Sequence, residues 1–387
     1  MILDKFPDPE EFYKKYWNKA PFIVRGGVAP EIFDGLLDPE SLAGLAMEED
    51  IKSRIVITAP EGKKWVCEHG PFDEDKFAEL DGKQWSLLVQ NVEQYYTDVS
   101  QLLKSFHFSP RWLMDDIMVS YSTAGGSVGP HIDSYHVFLV QGMGRRMWRV
   151  GNSPIQNAEN IDGQDFKILK NSFDATEVEV SAGDVIYIPP NFAHEGTTTQ
   201  DAMTFSVGFL GPKISEILSD YGRYVEEKDT LNQMYGGDNI DIRSGSFVID
   251  SQAVSSIKSD LIEVINNDDF STWLIQYFST PTHDELDAIE PREDEISSEN
   301  LIKELKNGGI LSRAEHVKLS ITKDKNGALK FAVYGEIIPT LTAHEKLIYW
   351  LNDYDQITLN DLENLGGVDA LIELVTHLYN HNVLCKL

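Results

Sequence analysis

Short apolar segments separated by turn residues dominate the chain from residue 114 to about 211. They are rich in β-branched and aromatic residues, and they read MDDIMVSYST, SYHVFLVQG, RRMWRV, DVIYIPP and MTFSVGFL. This pattern predicts the strands of an all-β barrel. Residues 1 to about 110 combine helical and strand patterns. They predict an amphipathic helix in EEFYKKYW, a first strand at PFIV, and a helix that starts at Asp38-Pro39 with proline in its first turn.

Beyond the predicted barrel, apolar residues recur at helical spacing. ISEILSDYGRYVEEK and AVSSIKSDLIEVINNDDFSTWLIQYF carry them three and four positions apart. Helices of this kind can pair with a second subunit or pack on their own barrel, and periodicity alone leaves both open. Residues 280–300, which are acidic and hold two prolines, predict a linker.

The last segment predicts a hairpin around Asn326-Gly327, followed by the helices AHEKLIYWLND, LNDLENL and DALIELVTHLYN. A hairpin combined with helices favours a winged-helix-like topology. We therefore predict an α+β protein with three domains: a catalytic barrel at 1–212, a helical dimerisation region at 213–285, and a winged-helix-like C-terminal domain at 286–387.

Composition and charge narrow the range of molecules to which the chain can bind. The 387 residues are 42% hydrophobic, as in a soluble globular protein, and the formal net charge is −30. Such a charge repels nucleic acid and anionic membranes and attracts a basic polypeptide, although solubility alone would also explain it. No apolar run reaches the ~20 residues that cross a bilayer. The start has no signal-peptide pattern, and Cys67 and Cys385 form no motif, which indicates a reducing cytoplasm.

The chemistry lies in two motifs, GPHID and PPNFAHE. His131 and Asp133 are two positions apart, so on a strand both side chains reach the same face, with Tyr135 next on it. His194 follows far along the chain, after the predicted strand DVIYIPP. Two imidazoles and one carboxylate match the facial triad of non-haem iron(II) oxygenases. A lone His-x-Asp is more often a surface or core feature, but the surrounding strand and turn pattern favours metal binding.

Two further residues suit a dicarboxylate cosubstrate. Arg146 opens the segment after the His-x-Asp strand, and its planar guanidinium can pair with a distal carboxylate through two hydrogen bonds. Ser120, on the preceding strand, can add a hydroxyl hydrogen bond. The alternative for Arg146 is a solvated arginine at the barrel rim.

At these residues the chain resembles the JmjC-domain ribosomal oxygenases, and within them the bacterial arginine hydroxylases of the large ribosomal subunit. The resemblance covers essentially the whole chain and is carried by GGSVGPHIDSYHVFLVQGMGRRMWRVG, AGDVIYIPPNFAHEG and TFSVGF. It implies a double-stranded β-helix with a helical dimerisation region and a winged-helix domain. It also implies hydroxylation, with Fe(II), 2-oxoglutarate and O2, of an arginine in the sixteenth protein of the 50S subunit, by a cytoplasmic homodimer.

The family's functional residues carry over residue by residue. The iron ligands become His131, Asp133 and His194, and the 2-oxoglutarate contacts become Ser120 and Arg146. The family often has asparagine where this chain has Thr204, a departure that touches the hydrogen bonds near the cosubstrate.

The substrate pocket is predicted on the same strand as Ser120. Asp116 and Met118 alternate with it and can face the barrel interior. The Asp116 carboxylate suits a substrate guanidinium, and Tyr135 can stack on that cation. The alternatives are a strand-edge carboxylate for Asp116 and a core aromatic for Tyr135.

Two rival functions stay open at the level of sequence. A close relative could oxidise histidine or lysine in another basic protein, since lysine would also satisfy Asp116. A non-enzymatic cupin sensor with a winged helix could act as a transcription regulator. That rival requires a basic recognition helix, and the C-terminal segment carries acids instead.

Overall fold

The computed structural model describes residues 1–58, 65–229, 231–237, 247–280, 292–314, 316–354 and 356–387. The chain forms two compact units, Met1–Gly211 and Pro212–Leu387. Most of the predicted acidic linker lies outside the described residues. No described helix combines the length and the apolar character that a membrane span requires.

The first unit is built around one large β-sheet. Its strands are β1 (Ile2–Leu3), β2 (Phe22–Val24), β3 (Ser53–Ile57), β4 (Val66–His69), β5 (Trp85–Val89), β6 (Met114–Ser122), β7 (His131–Ile132), β8 (His136–Pro154), β9 (Ala175–Ser181), β10 (Val185–Ile188) and β11 (Phe192–Phe209). The order is β1-β2-β10-β8-β11-β6-β5-β3-β4, with β7 also paired to β11 and β9 to β8. This sheet supplies the double-stranded β-helix of the predicted α+β fold.

Short helices flank this sheet. They are α1 (Pro9–Glu11), α2 (Pro39–Leu45), α3 (Glu74–Glu79) and α4 (Val92–Tyr95), with a π-helical turn at Phe12–Tyr16 and 3-10 turns at Pro30–Phe33, Thr97–Phe106 and Arg111–Leu113. Asp8, Asp38 and Asp73 cap the first three helices by accepting backbone N–H bonds. The helix predicted in EEFYKKYW is present, and its second half is π-helical.

Two strands are longer than the sequence pattern predicts. The segments SYHVFLVQG and RRMWRV, predicted as separate strands, belong to the single strand β8, and β11 runs from the PPNFAHE motif through MTFSVGF. Glycine in a strand pattern suggested a turn, but here Gly144 lies within β8 with φ +68. The β8–β11 pairing shifts register there instead of ending, as at a bulge.

The sheet buries both of its faces. One face packs into a large aromatic-rich core that includes Ile117, Val119, Phe138 and Phe205. The other face, here called the inner face, carries a second apolar cluster of buried residues: Ile23, Val137, Leu139, Trp148, Val150, Val178, Val180, Ile186, Ile188 and Phe192. Because side chains alternate along a strand, residues in step with Trp148 on β8 also point to the inner face.

His136 packs against the large core, on the face opposite to the inner one. Its ring stacks on Trp17 with centroids 3.4 Å apart and planes 5° apart, and its Nδ1 lies 2.7 Å from the Tyr187 hydroxyl. Burial lowers the pKa of His136 to about 4. This histidine is therefore a neutral packing residue.

The second unit contains the longer helices and two small sheets. The helices are α5 (Ile214–Glu226), α6 (Ser251–Ile265), α7 (Asp268–Ser279), α8 (Ser298–Lys306), α9 (Glu345–Asp353), α10 (Leu359–Leu365) and α11 (Val368–Asn380), with a 3-10 turn at Thr342–His344. The strands are β12 (Leu311–Arg313), β13 (Leu319–Lys323), β14 (Leu329–Val333), β15 (Glu336–Ile338), β16 (Gln356–Ile357) and β17 (Leu384–Lys386), ordered β16-β12-β17 and β13-β14-β15.

The hairpin of β13 and β14 is closed by a turn in which Asp324 accepts the backbone N–H of Asn326 and Gly327 adopts φ +80. The long apolar-periodic segment predicted after residue 252 is two helices, because Asn267 interrupts it and caps α7.

The packing of His136 predicts a pH effect on stability. The folded pKa of about 4 lies below the ordinary 6.5. The contribution of His136, about 3 kcal/mol, is therefore complete above pH 6.5 and is lost as the pH falls toward 4. His136→Phe keeps a ring against Trp17, and we expect it to lose less free energy of unfolding over this range than wild type in urea titrations.

His107→Phe, at an exposed histidine of the same unit, controls for the general effect of this replacement. Equal pH dependence in His136→Phe and wild type would contradict the assignment.

Candidate active site

Three predicted ligands converge on one point. The carboxylate Oδ2 of Asp133 lies 3.8 Å from Nε2 of His131 and 3.5 Å from Nε2 of His194. One potential ligand atom from each residue lies within 4.8 Å of the others, and His194 is buried. Within the described ranges, this is the group of histidine and acidic side chains arranged to hold a metal ion.

Backbone pairing brings these residues together. His131 on β7 is directly opposite His194 on β11. Gly129, with φ +76, provides the turn into β7. The prediction that one strand carries His131, Asp133 and Tyr135 is wrong, because only His131 of the three lies on β7. The strand β7 ends at Ile132, because the carbonyl of Asp133 accepts the N–H of Asn191, just before β11, instead of a ladder bond.

Both imidazoles are oriented for metal binding. Nδ1 of His131 lies 3.0 Å from the carbonyl of Gly129, and Nδ1 of His194 lies 3.1 Å from that of Phe192. Each Nδ1–H can donate to its carbonyl, which leaves the lone pair of Nε2 free to bind a metal. Burial, followed by the neighbouring His131, lowers the pKa of His194 to about 4, so the ring is neutral, as a metal ligand must be. The donor set fits iron(II).

Arg146 is a buried cation on the inner face. Its side chain is 4% exposed, it donates to the carbonyl of Gly196 at 3.3 Å and to the hydroxyl of Thr204 at 3.5 Å, and its Nε has no hydrogen-bond partner. Burial lowers its pKa to about 10, which still leaves it charged at neutral pH. No carboxylate of the described residues lies within ion-pairing distance of it. A buried charge without a counterion is costly, so the site fits a bound anion.

Ser120 and Arg146 both donate a hydrogen bond to Thr204. Ser120 is paired with Thr204 across β6 and β11, and its hydroxyl donates to the Thr204 carbonyl at a long 3.4 Å. The Thr204 hydroxyl donates to Oε1 of Gln141 at 3.2 Å. The Gln141 amide in turn donates to the carbonyls of Met143 and Met203. This chain of bonds holds the Thr204 oxygen as an acceptor for Arg146.

The predicted substrate residues lie on β6 and just after Asp133. Tyr135 packs against the inner cluster, and burial, followed by the charges of Asp133 and Asp116, raises its pKa. Asp116 and Met118 are both on β6 and both partly exposed, and Met118 is opposite the buried Ser206. The geometry places an acid and an aromatic ring near the triad, and their role in binding a substrate stays a prediction.

Two residues around Arg146 were missed in the sequence. The guanidinium carbon of Arg146 lies 4.8 Å from the ring centroid of Trp148, two positions further on β8. Gly196 is opposite Trp148, and a Cβ there would lie 2.6 Å from Nε of Arg146 and 2.9 Å from the indole. The two-residue spacing along the strands could have identified them, because Trp148 follows Arg146, and Gly196 follows His194, by two positions and therefore lies on the same face. Gly196 thus leaves the space that the guanidinium occupies.

Comparison with known proteins agrees with this geometry. A family model described as the JmjC domain matches residues 101–217. The chain is 35% identical to the "Ribosomal protein uL16 3-hydroxylase" of Escherichia coli K12 over 78% of this chain and 79% of that protein. It is 41% identical to a "Probable ribosomal oxygenase" of Haemophilus influenzae over 56% of this chain and 53% of that protein.

A solved structure covers nearly the whole chain. It is described as YcfD, a ribosomal oxygenase from E. coli in complex with cobalt and 2-oxoglutarate. The match has 30% identity, a TM-score of 0.77 and coverage of 97% of both chains. With the triad, the buried arginine and these likenesses together, the chain belongs to the JmjC-domain ribosomal oxygenases.

Proposed function

We propose that this chain hydroxylates an arginine side chain of the large-subunit ribosomal protein uL16, with Fe(II), 2-oxoglutarate and O2. The observation that carries the proposal is a group of two histidines and one carboxylate whose His194 lies on the same β8–β11 ladder as a buried arginine without a counterion among the described residues. The E. coli relative is named for hydroxylation of uL16, and the E. coli structure is described with cobalt and 2-oxoglutarate.

The residues divide the work between metal and cosubstrate. His131, Asp133 and His194 would hold the iron, with positions left open for other ligands. Iron bound there would couple decarboxylation of 2-oxoglutarate to succinate with oxidation of a substrate C–H bond by dioxygen. Arg146 and Ser120 would bind the distal carboxylate. The guanidinium lies beside Gly196, one same-face step (~7 Å) along β11 from His194, a distance suited to the carbon chain of 2-oxoglutarate.

The chain's own side chains also favour a cationic substrate. Asp116 would pair with the substrate guanidinium, Tyr135 would stack on it, and Met118 would contact its aliphatic part. The net charge of −30 favours docking of a basic ribosomal protein and disfavours nucleic acid. Because uL16 is a ribosomal protein, we place the enzyme in the cytoplasm.

We further propose that residues 213–285 support a homodimer and that residues 286–387 form a winged-helix-like domain. Val254, Ile257 and Leu261 form a stripe on α6 at helical spacing, and their side chains are exposed by 39%, 39% and 58%. Exposed apolar stripes of this kind on a soluble chain mark interaction surfaces.

The proposed activity predicts one modification. Purified wild type, supplied with Fe(II), 2-oxoglutarate and uL16, should form succinate and add one oxygen atom to an arginine of uL16, located by tandem mass spectrometry. Asp133→Ala should reduce both products by more than ~100-fold, because it removes an iron ligand, while circular dichroism stays that of wild type. Oxygen found on a histidine or a lysine would replace the proposed substrate residue, and turnover by Asp133→Ala would refute the metal site.

The space at Gly196 predicts a loss of cosubstrate affinity. Gly196→Ala would put a methyl group 2.6 Å from Nε of Arg146, so the guanidinium must move. We expect 2-oxoglutarate to bind ~10- to 100-fold more weakly, approaching Arg146→Ala, since a charge-assisted hydrogen bond is lost. Calorimetry of the Mn(II)-loaded protein measures this. Gly44→Ala, where nothing lies within 4 Å of the new methyl, is the matched control. Wild-type affinity in Gly196→Ala would contradict the placement of Arg146.

The dimer proposal is tested on α6. Light scattering should give wild type twice the mass of one chain, and Leu261→Asp should shift it to one chain mass, because a charge would then lie in an apolar interface. Ser259→Asp adds the same charge at an exposed polar position of α6 and should remain dimeric. A monomeric wild type, or a dimeric Leu261→Asp, would show that this stripe does not join two copies.

A further inference from the structure

We propose that the indole N–H of Trp148 and the hydroxyl of Thr198 are two further donors to the distal carboxylate of the cosubstrate, and complete a clamp with Arg146. This inference rests on the proposed binding of 2-oxoglutarate and extends it to two residues whose side-chain polar atoms have no hydrogen-bond partner in the protein. Trp148 and Thr198 would select a dicarboxylate over small acids that only chelate the metal.

The first observation is a group of buried polar atoms without hydrogen-bond partners. Nε of Arg146, Nε1 of Trp148 and Oγ1 of Thr198 each lack one, and their residues are only 4%, 4% and 2% exposed. Buried polar groups are almost always hydrogen-bonded, so each exception calls for an explanation. Three such atoms on two adjacent strands point to one shared ligand that bonds to all of them.

The second observation is that the strand register makes these three residues neighbours on one face of the sheet. Thr198 on β11 is directly opposite Arg146 on β8, and Gly196 is opposite Trp148. Cross-strand pairs on one face have Cβ atoms about 4.5–5.5 Å apart. A Cβ built at Gly196 would lie 2.6 Å from Nε of Arg146 and 3.0 Å from Cζ2 of Trp148. The space that a side chain at residue 196 would take is therefore filled by the guanidinium and the indole, which lie next to each other over Gly196.

The third observation is the chemistry of the donors. Arginine and the indole nitrogen can donate hydrogen bonds but cannot accept them, so neither can satisfy the other. A shared ligand must offer several acceptor lone pairs and a negative charge, which describes a carboxylate. The Thr198 hydroxyl can donate in the same direction. Its backbone is fixed by bonds from Gly125 N–H to its carbonyl and from its own N–H to Gly126.

The position along the strands fits the far end of the cosubstrate. The inner-face series on β11 is His194, Gly196 and Thr198, and the series on β8 that faces it is Val150, Trp148 and Arg146. The metal ligand is at one end, and Thr198 with Arg146 is at the other. Trp148 lies between them, with its ring centroid 6.0 Å from that of His194. A ligand that chelates the metal and reaches Arg146 must pass Trp148.

The test compares two ligands and three variants. Trp148→Phe keeps an aromatic ring under Arg146 but removes the N–H, and Thr198→Val keeps the shape but removes the hydroxyl. Thr197→Val makes the same change at the exposed neighbouring position and is the control. Calorimetry on the Zn(II)-loaded full chain gives the affinity for 2-oxoglutarate and for oxalate, which chelates the metal but has no distal carboxylate.

We expect Trp148→Phe and Thr198→Val each to weaken 2-oxoglutarate binding by ~10-fold or more, because each removes a hydrogen bond to a charged group. Oxalate should bind all variants within about twofold of wild type, and Thr197→Val should match wild type for both ligands. In 15N-labelled protein, the indole N–H signal that is absent from Trp148→Phe should move downfield with 2-oxoglutarate and stay in place with oxalate.

Three outcomes would overturn the inference. Unchanged 2-oxoglutarate affinity in both variants would remove Trp148 and Thr198 from the clamp while the proposed function stands. An equal loss of oxalate affinity would show that they support the metal site instead. A wild type that does not bind 2-oxoglutarate would overturn the proposed function together with this inference. Thermal unfolding and Zn(II) affinity, measured for every variant, identify a general loss of folding.

Discussion

The register between β8 and β11 is the constraint on which the rest of the structure depends. It sets His194 opposite Val150, Gly196 opposite Trp148 and Thr198 opposite Arg146, while β7 adds His131 opposite His194. A slip of one residue would turn every one of these side chains to the other face of the sheet. The two apolar clusters on the opposite faces resist such a slip, because it would expose one hydrophobic set and bury polar groups in the other.

That register also creates an arrangement that is unfavourable without a ligand. The inner face holds a neutral His194, a charged Arg146 and several polar atoms without partners, in an otherwise apolar setting. Such groups destabilise the folded state and so lower the free energy of unfolding. A metal and a dicarboxylate would satisfy both ends of the ladder at once, so binding of either should stabilise the fold. The cost of burying these groups and the proposed affinity for a dicarboxylate thus have the same origin.

Local patterns in the sequence were sufficient to select the three side chains that meet in the structure, and insufficient to describe their surroundings. The period-two spacing of His131 and Asp133 predicts that both lie on one face of one strand. The strand β7 instead ends at Ile132, and Asp133 reaches both histidines from the segment that follows it. The extent of the strands could not be predicted, because Gly144 signals a turn locally but forms part of a continuous ladder that β11 stabilises. Trp148 and Thr198 were missed since a polar atom is recognised as lacking a partner only when every neighbour in space is known. The likeness to known oxygenases supplied the cosubstrate and the substrate, which no spacing reveals.

The most direct measurement is a crystal structure of the anaerobic protein with Mn(II) and 2-oxoglutarate, with the metal located by anomalous diffraction. We expect one ion bound directly by Nε2 of His131, by Nε2 of His194 and by a carboxylate oxygen of Asp133. The distal carboxylate should lie against Arg146. A metal bound away from these three side chains, or a cosubstrate whose distal carboxylate points away from Arg146, would contradict this account.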